Sequence, residues 1–199
     1  MFILYAIPIG VLAGYLLGGR LGRLGELRLR WVPLALLGLL IQVLLFTDTF
    51  GSPFGEASTA VYVASSILVF AAVLRNVRVP GMALAAAGAA CNLVAIIANG
   101  GYMPADPAGV AALGLGGSGY TSSVILTDPA LPFLTDIFAM PAWMPAANIF
   151  SIGDILLGIG VALTIALAMR GGAPSSQAEL GSTGGAPTSP GGADGYDPS

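Results

Sequence analysis

The carboxylate of Asp154 lies in an apolar run, and it is the most chemically suggestive group in the chain. Asn148, Ser151, Asp154 and Gly158 step by three, three and four residues, so they share one face if the run is helical from its start. An ionisable side chain within such a run is a functional candidate, because removing its charge from water is expensive. A second acid, Asp136, and three amides, Gln42, Asn92 and Asn99, complete the polar positions worth following. The remaining kit is thin. Histidine and lysine are absent and there is one cysteine, Cys91, inside another apolar stretch. That composition excludes a Ser-His-Asp triad, a His-ligated metal, a lysine Schiff base and an internal disulfide. The residues specify no catalytic group, no metal set and no cofactor.

Three readings of Asp154 stand open. Ser151-x-x-Asp154 has the spacing of a capping box, which would start a helix near residue 152 and place the acid at its electropositive end. As a functional carboxylate it would couple protons or small solutes to a transport path passing Gln42 and Asn92. Ser151-Ile152-Gly153-Asp154 also resembles the Gly-x-Gly-Asp signature of intramembrane aspartyl proteases. Serine replaces the first glycine of that signature, and those enzymes need a second aspartate at the same depth.

The elements that carry these residues follow from composition. Hydrophobic residues make up 56% of the chain and charged residues 9%, with a mean hydropathy of +0.87. A soluble domain carries about a quarter charged residues. The seven basic residues are all arginines, at 20, 23, 28, 30, 75, 78 and 170, between or just after the apolar runs. Cytoplasmic loops collect such residues, so the pattern predicts five transmembrane helices with the N-terminus outside and the C-terminus cytoplasmic. The spans expected are about 2–18, 31–47, 59–74, 81–98 and 149–169, all within a domain of residues 1–170. Each is near the roughly 20 residues that cross a hydrocarbon layer. Trp31 and Trp143 are expected at the two interfaces. Residues 99–147 form a long outer segment, partly membrane-associated and rich in Gly and Pro. Residues 171–199, dominated by Gly, Ala, Pro, Ser and Thr, are expected to be a disordered cytoplasmic tail. The arginines are dispersed in three groups, which disfavours nucleic-acid binding.

Gly10, Gly14 and Gly18 recur every four residues and predict a flat face for close helix packing, within the chain or against a partner subunit. Gly81, Ala85 and Ala89, and Gly158, Ala162 and Ala166, offer the same device on the fourth and fifth spans. Gln42 and Asn92 are expected to bond across helices or to line a polar path. Membrane lipids, and a partner membrane protein or further copies of the chain, are the expected neighbours.

Several stretches together resemble a family of bacterial multi-pass membrane proteins classed as a domain of unknown function. They are Gly18-Gly19-Arg20-Leu21, Leu27 to Trp31, Ala98 to Pro104, Leu131 to Ile137 and Asn148 to Ile155. Thr135 stands where that family commonly has glycine. The resemblance covers about residues 1–170 and implies a bacterial cell-membrane location and this architecture, with no reaction attached. The function expected is that of a non-catalytic scaffold, accessory subunit or ligand-binding module. A transporter using Asp154 and an intramembrane aspartyl hydrolase are the alternatives. On the family's grouping of residues, the 99–147 segment should fold over the start of the fifth span, with Asp136 or Asp154 bonding the backbone at Gly100-Gly101.

Overall fold

The computed structural model describes residues 3–45, 57–114 and 123–171. Most of these are helical. Five long apolar helices, α1 (Ile3–Leu16), α2 (Val32–Leu45), α3 (Ser58–Arg75), α4 (Met82–Ala98) and α6 (Ile152–Arg170), are accompanied by a short α5 (Pro107–Ala112). By length and composition two of them, α3 and α6, can cross a membrane, and α1, α2 and α4 are shorter apolar helices. Much of the surface of both is outward: 17% of the α3 window and 33% of the α6 window is buried. Between α2 and α3, and beyond Gly171, the sequence expectations fall outside the described residues.

Residues that favour helix fill the runs, and glycines stop them. Gly18 follows α1 with φ +75° and Gly171 follows α6 with φ +78°, left-handed conformations that cost glycine little. The run expected at 149–169 becomes helical only at Ile152. Ile149–Phe150 is instead a strand (β4) paired antiparallel with β3 (Phe138–Ala139). Asn148 is therefore in the hairpin and not on the face of α6 that carries Asp154.

The helices pack in the lateral order α2, α3, α4, α6, α1, so that α6 lies between α1 and α4. Its two seams are backbone-close. A Cβ on Gly88 would lie 2.4 Å from the Gly153 carbonyl, and one on Gly160 2.3 Å from the Ala85 nitrogen. On the other side a Cβ on Gly10 would meet the Ala162 carbonyl at 2.8 Å, and one on Gly14 the Met169 sulfur at 2.4 Å. Gly18 does not join this face: nothing lies within 4 Å of a Cβ there, because the helix has already ended at Leu16. Gly19 makes the approach instead, and Arg20 N–H donates to the Met169 carbonyl at 2.8 Å.

The link from α1 to α2 then crosses one end of the bundle. A 3-10 turn, Leu21–Glu26, packs on α6, and Arg23 donates to the Arg170 carbonyl at 2.6 Å. Farther on, Arg30 is bonded to Asn76 at the foot of α3. All seven arginines consequently sit at that end. The 99–147 segment covers the other. There β1 (Met103–Pro104) and β2 (Ser123–Val124) pair in parallel, with α5 as the crossover. Met103 packs with Ala95 and Ile96 of α4, joined by Tyr62, Val63 and Leu134.

If these seams are backbone contacts, Gly160→Ala should cost about 1–3 kcal/mol of unfolding free energy in detergent, the usual range for overpacking. Gly22→Ala, where nothing lies within 4 Å, should leave stability unchanged. Equal denaturation midpoints for the two variants would contradict the packing described.

Candidate functional site: a capped carboxylate between two helices

Helix α6 begins on a capping box. Ser151 is extended (φ −103°, ψ 171°), its Oγ accepts the Asp154 N–H at 3.0 Å, and the Asp154 Oδ2 accepts the Ser151 N–H at 3.1 Å. The Ser151 and Asp154 N–H groups, which the helix start would otherwise leave unpaired, are satisfied reciprocally in this way. The box is then tied to α4. Asn92 Nδ2 donates to Asp154 Oδ1 at 2.8 Å, and the Ser151 hydroxyl donates to Asn92 Oδ1 at 2.8 Å. The amide presents a donor to the carboxylate and an acceptor to the hydroxyl, so each atom meets its complement. Ser151 is fully buried and Asp154 half-buried.

Glycine makes the knot possible. A Cβ at Gly153 would lie 1.8 Å from Asn92 Oδ1 and 2.8 Å from the Gly88 carbonyl. The side chain of Asn92 therefore crosses from α4 to the start of α6 over bare backbone.

Both oxygens of Asp154 are held by fixed donors, which leaves the group acting as an acceptor and a cap. None of its bonded partners is a carboxylate, whereas a shared-proton aspartate pair needs two at contact distance. Asp136 is buried elsewhere, in the covering segment, where its N–H donates to the Pro104 carbonyl and its carbonyl accepts from Asp106, both at 2.9 Å. Nor do the mid-helix amides form one path. Gln42 donates to Ser66 Oγ at 3.3 Å in the α2–α3 seam, while Asn92 is in the α4–α6 seam, with α3 and α4 between. Cys91 is half-buried beside Asn92. Among the described residues no cluster of His, Cys, Asp or Glu could hold a metal ion.

The remaining expected positions fasten the covering segment. Asn99 caps the end of α4 and clamps Ala130, donating to its carbonyl at 2.9 Å and accepting its N–H at 2.8 Å. The carbonyl of Asn148 accepts Met140 N–H at 3.0 Å and closes the β3–β4 hairpin. The Tyr5 hydroxyl of α1 donates to the Pro145 carbonyl, and Thr59 of α3 donates to the Tyr102 hydroxyl at 3.1 Å. The expected bond from Asp154 or Asp136 to the Gly100-Gly101 backbone is not how the turn is held. Gly100 and Gly101 N–H groups donate to Ile97 and Ile96 carbonyls of their own helix, and Asp154 is committed to Asn92 and Ser151.

Three polar residues that the sequence reading passed over carry comparable weight. Asn76 accepts Arg30 N–H and donates to the Arg30 and Ala72 carbonyls, each at 2.7 Å. Asp106 caps α5 through Gly109 N–H at 2.9 Å, and the signal was present as Asp-Pro, a cap followed by proline at the first helical position. Thr164 ties α6 to the Pro80 carbonyl at 2.9 Å, for which no local signal exists.

The site thus defines a helical bundle in which the carboxylate of Asp154 serves as a joint between two helices. Residues 26–166 match the model of a family of unknown function, DUF5317, and the chain belongs to that family. The match begins after α1, so the Gly18-Gly19-Arg20-Leu21 stretch lies outside it. No curated protein and no solved structure matches the chain.

Removing Asn92 as Ala should cost about 1 kcal/mol of stability, as interhelical bonds in membranes do, and Ser151→Ala a similar amount. The double variant should cost less than the sum by about 0.5 kcal/mol or more, because both act through one network. Strict additivity would separate the cap from the interhelix bond. Independently, Asn99→Ala should expose the 125–140 stretch to limited proteolysis while the helices stay protected. Unchanged cleavage would show that the Ala130 clamp is dispensable.

Proposed function

We propose that this chain is a five-span protein of the bacterial cell membrane, N-terminus outside and C-terminus cytoplasmic, acting as a non-catalytic scaffold or accessory subunit. Its partner is a second membrane protein or another copy of the chain. The medium is argued from surface. Leu4, Ile7, Leu12, Leu36, Leu40, Val43, Ile67, Val94, Ile97 and Leu163 are all exposed on helix flanks, far more aliphatic surface than a small soluble domain presents to water. The direction is argued from charge, since one end carries every arginine and the covered end carries Asp106, Asp128 and Asp136.

The observation that carries the non-catalytic reading is the double engagement of Asp154. A carboxylate that couples protons or attacks a bond must exchange its partners during each cycle. This one has Ser151 N–H and Asn92 as fixed donors and closes the joint on which α6 is seated.

Reporter tags at the two chain ends should be accessible from opposite compartments, and a tag in the Arg75–Arg78 turn should share the C-terminal side. Both ends on one side would refute five spans. Asp154→Asn retains the bond from Asn92 but removes the charge. It should insert normally and keep its cross-linked neighbours within about twofold in abundance, at a stability cost near 1 kcal/mol. Loss of those neighbours without loss of stability would favour a working carboxylate instead.

A further inference from the structure

The arginines at the uncovered end are not evenly spread. Arg28, Arg30, Arg75 and Arg78 line a single open cavity of about 660 Å³ together with Trp31 and Asn76, and among the described residues no carboxylate contributes to its wall. They come from two separate connections, the α1–α2 link and the α3–α4 turn. What holds the two together is Asn76, buried and bonded on both sides of its amide to the Arg30 backbone. Four guanidinium groups held around one space repel one another unless an anion offsets them. Guanidinium is the side chain whose planar fork matches phosphate oxygens two at a time. Beside the arginines stands Trp31, half exposed at 53% and held at φ +61°, with exposed Val32, Leu74 and Val77 alongside. An amphipathic ring and aliphatic side chains at the mouth of a cationic cavity suit a molecule that has both a phosphate and acyl chains.

We propose that this cavity binds the phosphate headgroup of an anionic membrane lipid, with Trp31 and Leu74 against the start of its acyl chains and Asn76 as the positioning residue that assembles the site. A free phosphate would have the charge match but no use for the apolar rim. The sequence after Gly171 holds Glu179, Asp194 and Asp197, and Gly171 itself lies beside Arg23, whose guanidinium is 3.1 Å from a Cβ built there, so the tail is tested below as a rival occupant. The proposal rests on the membrane reading above.

The test uses the full chain purified in mild detergent. Thermal stability is followed on adding phosphatidylglycerol, phosphatidylcholine or inorganic phosphate, and the lipid retained is quantified. Phosphatidylglycerol should stabilise and be retained about tenfold over phosphatidylcholine, which corresponds to about 1.4 kcal/mol. Changing Arg28, Arg30, Arg75 and Arg78 to lysine keeps the charges that set orientation but removes the forks, and should abolish the preference. The corresponding R20K/R23K/R170K variant should retain it. Asn76→Ala should lose the preference with every arginine in place. Equal response to both lipids, equal loss in the R20K/R23K/R170K variant, or full competition by millimolar phosphate would overturn the proposal. So would a sharp gain in lipid binding by a chain ending at Gly171, since the tail would then be the occupant. A chain recovered from cells without detergent would sink the membrane reading itself. A chain that needs detergent yet shows no lipid preference sinks only this site.

Discussion

Close approach of backbones on both sides of α6 is the constraint from which the other features follow. Dispersion at short range and interhelix hydrogen bonds supply much of the adhesion along these seams. Small residues permit both. Gly88 faces Gly153 and Gly160 faces Ala85 along α4, while Gly10 and Gly14 admit Ala162 and Met169 along α1. Dispersion falls steeply with distance, so a gap of even half an ångström along these seams forfeits a sizeable share of each contact. The same proximity lets a short amide reach from one helix to the next. Asn92 could not bond both Ser151 and Asp154 across a seam of leucines.

That joint also sets where α6 begins, and hence how the covering segment enters it. Because the cap fixes Ile152 as the first helical residue, Ile149 and Phe150 remain extended and pair with Phe138 and Ala139. The rings of Phe138 and Phe150 stack at 5.5 Å between centroids, adding an aromatic contact to the two-residue pairing. At the opposite end Thr164 holds the Pro80 carbonyl, and Gly81 sits in a left-handed conformation with φ +89° so close to Gly160 and Thr164 that any side chain would collide. The α4–α6 seam is thus anchored at its middle and both ends by groups of different kinds.

Much of this was legible in the residues, for reasons that differ from place to place. Long apolar runs between arginines locate the helices to within a few residues, because periodicity is not needed when every face is apolar. The capping box at Ser151 and Asp154 is a local code and reads directly. Its extension to Asn92 does not, because it depends on which helix lies alongside, and lateral order is set by three-dimensional packing. Gly18 misled for a related reason: the four-residue spacing continues past the point where the helix stops. A glycine pattern alone does not distinguish a packing face from a terminator, and the Gly18-Gly19 pair was the clue that the chain turns there. Asn76 carries no local signal, because its partner Arg30 lies 46 residues away in another connection. In the 99–147 segment, strands two residues long carry no pattern at all, so its clamps could be seen only once folded.

The seams differ in how closely the backbones approach. The α1–α6 and α4–α6 seams have several backbone-close glycines each, whereas α2 meets α3 through Gly38 against Ser65 and Val69 and through a single long bond from Gln42 to Ser66. Helix α2 is also flanked by exposed leucines at 36, 37, 39 and 40, so few of its large side chains are engaged within the bundle. It stands at the edge of the row with much of its surface outward. Its foot is nevertheless fixed, because Arg30 just before it is bonded twice to Asn76 at the end of α3. Helix α2 is thus engaged at both of its described ends, at the foot through the Asn76 clamp and at the last residue through buried Leu45. A trio of α1, α4 and α6 joined by backbone-close glycines, with α3 and then α2 continuing the row, places the closest approaches on one side of the bundle.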